Sequence, residues 1–159
     1  SFISLLNTMA ENRKTALYEA CRAQIARRIE TATAAMEAAQ KAANSETKSS
    51  VGDKYETGRA MMQRERDKAA LQLAAANELA KILDEIDPTH TCTEAELGAV
   101  VDTSRGTFFL AVAAGLLNID GQKCFAVSPA SPVGKAMLGK KVGDSFVVNG
   151  NTFEMKAVE

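Results

Sequence analysis

A chain of 159 residues, 46% of them hydrophobic, suffices for one or two small domains with a buried core. The formal charge is −1, with 13 basic and 13 acidic residues through Asp87 and 6 and 7 beyond it, which excludes binding to nucleic acid through bulk charge. Aromatic residues make up 5% and Trp is absent, so the apolar content is mostly Ala and Leu, better suited to thin helical packing than to a deep ligand pocket.

The opening stretch, SFISLLNT, is apolar but short, lacks a basic flank and precedes Met9. It reads as residues ahead of a start at Met9 or as a short structural segment, in preference to a signal peptide. From about Glu11 to Asn44 there is no Pro or Gly, and Leu17, Cys21, Ile25, Ile29, Met36, Ala39 and Ala43 recur at helical spacing, which predicts one apolar helix face. NSETKSSVGDKYETGR then breaks the pattern. A seven-residue series follows at Tyr55, Met62, Ala69, Ala76 and Leu83, with partners three residues on at Gly58, Glu65, Gln72, Leu79 and Ile86. Pro88 ends it.

Two helices of similar length around a short break predict an antiparallel coiled-coil hairpin over residues 9–87, with its tip near 45–54. At ~1.5 Å per residue, arms of roughly 34 residues extend about 50 Å. Pattern alone leaves open a dimerising coiled coil or a piece of a bundle. The tip interleaves Glu46, Asp53 and Glu56 with Lys48 and Lys54. Carboxylates there could ligate a hard cation such as Mg²⁺, or the charges could simply keep the bend soluble.

Beyond Pro88 short β-branched and aromatic segments, ELGAVVDT, GTFFLAVAAG, KCFAVSP and DSFVVNGNTFEMKAV, alternate with glycine turns. Asn149-Gly150 between apolar runs predicts a hairpin. Ser131 can cap, Pro132 suits the first helical position and Gly139 can stop a helix of barely two turns. These elements predict a small α+β domain over residues 93–159. GKAMLGK meets the spacing of a phosphate loop, but Lys141 stands where Ser or Thr is required, and its interior reads as helix.

Cys21, Cys92 and Cys124 lack any paired spacing and read as buried thiols of a reducing, cytoplasmic compartment. His90 and Cys92 supply two ligands without a second pair, so no metal is expected in the isolated protein. His90 lacks an acid and nucleophile to act with, and no apolar run reaches the ~20 residues of a membrane span.

SPASPVGKAMLGKKVGDSFVVNGNTFEMKAV resembles the C-terminal signature of the GreA/GreB transcription elongation factors. The resemblance is carried by Ser131, Pro132, Gly134, Gly139, Lys140, Val142, Gly143 and Asp144, and the helical hairpin with Tyr55 and Arg59 extends it. It implies an FKBP-like C-terminal domain that docks on RNA polymerase through Ser131, Pro132, Val133 and Gly134. It implies a monomeric accessory factor rather than an enzyme. The tip (Glu46, Lys48, Ser49, Ser50, Asp53, Lys54, Tyr55, Glu56, Arg59) would enter the secondary channel, near nascent RNA. Asp53 with Glu46 or Glu56 would there share a Mg²⁺ with the polymerase active site and stimulate cleavage of backtracked RNA. Family members that stimulate cleavage carry two acids three residues apart with a lysine between; aligning on Tyr55 and Arg59 puts Lys48 and Val51 at those places. Occupancy of the channel without cleavage is thus the second reading, and a scaffold or chaperone arm unrelated to transcription the third. Prolyl isomerase activity would follow from fold analogy alone and would require an aromatic-lined pocket.

Overall fold

The computed structural model describes residues 2–46 and 52–159. Two long helices come first, α1 (Phe2–Glu46) and α2 (Gly52–Asp84). α1 starts well before the predicted Glu11, because the apolar opening stretch also lacks Pro and Gly and continues the helix. α2 ends at Asp84, ahead of Pro88; Glu85 and Ile86 donate to Ile82 O and Leu83 O, tightening the last turn.

The chain divides into two compact units, Gln24–Ala80 and Ser1–Ala23 with Lys81–Glu159. The first consists of helix alone. Residues 24–46 and 52–80 form a helical hairpin in which Ala32, Ala39, Ala43, Ala69 and Ala76 are buried. Alanine permits close approach but removes little area from water, about 25 cal/mol per Å². Ile29, Met36, Met62 and Leu79 are half-buried, whereas Glu65 and Gln72 of the predicted second series are exposed.

The second unit is built on a mixed six-stranded sheet. Its strands are β1 (Val100–Thr103), β2 (Gly106–Leu110), β3 (Gly115–Ile119), β4 (Gln122–Val127), β5 (Ser145–Val148) and β6 (Asn151–Val158), and a short helix, α3 (Pro132–Met137), links β4 to β5. The order is β3-β4-β2-β1-β6-β5, with β2 and β4 parallel and the other pairs antiparallel. The predicted Asn149-Gly150 turn closes β5 on β6 with φ +51° and +78°, the geometry of a two-residue hairpin loop. Asp120-Gly121 does the same between β3 and β4, with φ +51° and +82°. β3 was not among the predicted strands.

Central strands are covered on both faces. Val101, Phe108 and Leu110 join Met137 of α3, Phe146 and Met155 in one core cluster. The alternate residues, Val100 and Phe109, are fully buried on the opposite face. Asp102 and Thr107 share that second face, and Arg13 of α1 bonds Asp102, so α1 lies over it at Arg13. Tyr18 Oη donates to Leu83 O at 3.0 Å and Arg22 pairs with Asp84, fastening α1 to the end of α2 within the same unit. None of the described helices is long and apolar enough to cross a membrane.

Candidate functional site

Leaving β4, the chain must reverse into α3, and local chemistry dictates how. Ser131 caps the helix with φ −67° and ψ 160°; its Oγ accepts from Gly134 N at 3.1 Å and donates to Ser128 O at 2.6 Å. Pro132 occupies the first turn, where no N–H partner is needed. A Cβ at position 134 would stand 2.2 Å from Ser128 O and 2.9 Å from Ser131 Oγ, so the turn closes only around glycine. Gly139, at φ +77°, ends the segment and donates to Ala95 O at 2.8 Å. Among the four residues expected to dock, Gly134 is buried, Ser131 is half-buried and Val133 packs on the core cluster. Pro132 is exposed, and so are the apolar side chains of Leu138 and Val142.

At the far end of the sequence hairpin, Glu46 is the last residue of α1, and Asp53, Lys54, Tyr55 and Glu56 fall in the first turns of α2. Asp53 and Glu56 are one turn apart along the backbone. Lys48, Ser49 and Ser50 lie outside the described residues, as does Val51. Arg59 is exposed.

A polar cluster that sequence reasoning missed lies where α1 meets the sheet. Lys14 is only 3% exposed, yet its ammonium donates to His90 O at 2.6 Å, Glu159 O at 3.1 Å and Cys92 Sγ at 3.4 Å. Arg13 reaches Asp102 Oδ2 at 3.2 Å and the Glu159 carboxylate. Burial opposes the Arg13 charge, but the Asp102 bond and the two carboxylates hold its pKa above the ordinary value. Burial likewise raises the Glu159 carboxyl, and Arg13 offsets this only in part. Glu159 Oε2 is buried without a hydrogen bond. Beside this cluster is a cavity of about 360 Å³ lined by Arg13, Leu17, Thr107, Lys123 and Cys124 among others, with no aromatic side chain. The aromatic rings instead stack on one another, Phe146 on Phe153 at 5.0 Å and Phe108 near Phe125 at 5.8 Å. Burial pushes the Cys21 thiol up to about 11 and the Cys124 thiol up to about 12, which makes both poor nucleophiles.

Residues 117–159 match the family model "Transcription elongation factor, GreA/GreB, C-term". That span includes the capped turn, α3 and the β5–β6 hairpin. The likeness to the GreA/GreB family is thus confined to this C-terminal segment. No curated protein matches the chain. Among solved structures, the crystal structure of GreA factor homolog 1 (Gfh1) protein of Thermus thermophilus is similar at 22% identity, over 89% of this chain and 94% of that one, with a TM-score of 0.33. The GreA/GreB signature residues carry the turn itself: Ser131 caps it, Gly134 lets it close, and Asp144 Oδ2 accepts from Lys141 N at 2.8 Å just before β5.

His90, Cys92 and Glu96 are brought together in the segment between α2 and β1, on loops that show no periodic pattern. The sequence pairs the first two, and Glu96 joins them only in the fold.

Proposed function

We propose that this chain binds RNA polymerase through its C-terminal domain, places the hairpin tip in the secondary channel and stimulates cleavage of backtracked RNA. The observation that carries the reading is the family match over residues 117–159, the part that contains the Ser131–Gly134 turn. Pro132, Leu138 and Val142 are each exposed and offer the partner apolar contacts. Asp53 with Glu46 or Glu56 supplies carboxylate oxygens, which are hard ligands suited to Mg²⁺. Two or three carboxylates fall short of the about six ligands of an octahedral ion, so the tip completes a site whose other ligands come from the polymerase. Asp53 with Glu46 or Glu56 would help to hold the ion, which would supply activation of the attacking water. The tip acids hold and orient; hydrolysis remains the polymerase's own reaction.

The test is 3′-end cleavage in backtracked elongation complexes. The wild-type protein should accelerate cleavage, and Asp53→Ala should lower that acceleration by about tenfold or more, as for other groups that position a metal. Lys48 and Val51, standing where cleavage factors of the family carry acids, favour a second reading in which the protein occupies the channel without promoting cleavage. Binding to polymerase with no added cleavage by the wild-type protein would select it.

A further inference from the structure

We propose that His90, Cys92 and Glu96 form a zinc site in the segment between α2 and β1. An imidazole nitrogen, the Cys92 sulfur and a Glu96 carboxylate oxygen all lie within 4.8 Å of one another. His90 Nε2 and Glu96 Oε1 are already 3.4 Å apart. In a tetrahedral zinc site, ligand bonds of about 2.0–2.3 Å put the ligand atoms roughly 3.3–3.6 Å from each other. Small side-chain rotations therefore suffice to close this group around an ion.

The backbone that presents the ligands is fastened independently of their side chains. His90 N donates to Asp87 O at 3.1 Å, Ala95 N to Lys140 O at 2.9 Å and Ala99 N to Glu96 O at 2.9 Å. Lys14 holds His90 O at 2.6 Å. Little ordering is left for the ion to impose. The donor set selects the metal: a thiolate is too soft for Mg²⁺ or Ca²⁺, and one sulfur, one nitrogen and one oxygen suit zinc. Three protein ligands leave a fourth position for water, and the exposed His90 opens the site to solvent. The Lys14 ammonium, 3.4 Å from Cys92 Sγ, donates to the sulfur. Its charge also opposes the cation, so affinity should fall below that of four-ligand structural sites.

Co²⁺ added to the full chain is the direct probe. One equivalent should produce a thiolate-to-cobalt charge-transfer band in the near ultraviolet and intense tetrahedral d–d bands, and Zn²⁺ should displace both. Cys92→Ser should abolish the charge-transfer band. Because Cys92 is buried and its replacement can disturb the fold, His90→Ala is the second variant; its side chain is 64% exposed. Titration of His90→Ala and Glu96→Gln against a chromophoric chelator should show Zn²⁺ affinity reduced by about tenfold or more in each. Absence of the charge-transfer band in the wild type, or wild-type zinc affinity in His90→Ala, would overturn the site. Neither readout involves polymerase.

Discussion

Gly134→Ala separates two forces of opposite sign. In an ordinary helix interior, Ala is favoured over Gly by about 1 kcal/mol, so intrinsic propensity alone predicts a more stable protein. Here the added methyl would meet Ser128 O at 2.2 Å, Ser131 Oγ at 2.9 Å and Pro129 Cα at 3.0 Å. Two of these three contacts are backbone atoms, which cannot swing aside. The turn must open, and opening it lengthens the 3.1 Å bond from Gly134 N to Ser131 Oγ and the 2.6 Å bond from Ser131 Oγ to Ser128 O. Overpacking of this kind costs about 1–3 kcal/mol and loss of a serine cap about 1 kcal/mol. Less the propensity gain, the net is destabilisation of about 1–3 kcal/mol. For a chain of this size that lowers Tm by about 2–4 °C per kcal/mol. Thermal unfolding followed by circular dichroism measures it, with Gly134→Ser as a second variant expected to fall at least as far. A Gly134→Ala protein as stable as wild type, or more stable, would refute the claim that close approach dictates glycine there.

Tyr18→Phe removes a buried hydroxyl that donates to Leu83 O at 3.0 Å and accepts from Arg22 Nε at 2.9 Å; urea unfolding should show a loss of about 1–2 kcal/mol, and an unchanged midpoint would contradict that fastening role. Glu159 has its carboxyl raised from 4.5, chiefly by burial, so the folded state binds its proton more tightly than the unfolded one. Stability should therefore gain as pH falls from neutrality through the raised value toward 4.5, and Glu159→Gln should lack this contribution. Urea midpoints measured across that range test it, and identical pH slopes for the two proteins would count against it. Pro132→Asp should weaken polymerase binding while leaving Tm within about 1 °C, since exposed first-turn positions tolerate acids; equal affinity would remove Pro132 from the docking surface.

What was legible in the sequence is what is encoded locally. Ser131, Pro132 and Gly139 announce α3 because cap, first-turn proline and positive-φ glycine act within a few residues. The Asn149-Gly150 hairpin is legible for the same reason. β3 escaped although Asp120-Gly121 marked its turn, because it is an edge strand with Leu116 exposed beside polar Asn118. Ala32 is buried in the hairpin although the predicted face passed from Ile29 to Met36 without it. The heptad reading failed at Glu65 and Gln72 because a seam of alanines is narrow and leaves the second series in water. The Arg13–Lys14 cluster was illegible for a different reason. Its partners Asp102, Cys92 and Glu159 lie 78 to 146 residues away, and only the fold brings them together. Glu96, which completes the His90–Cys92 pair, was missed likewise.

The central claim is that this chain engages the secondary channel of RNA polymerase, and competition on the enzyme tests it most directly. The labelled full chain is mixed with core RNA polymerase and separated by size exclusion, with and without an excess of a known secondary-channel factor. The account predicts that it co-elutes with the polymerase and is displaced by the competitor. Failure to co-elute, or co-elution that the competitor leaves untouched, would contradict it.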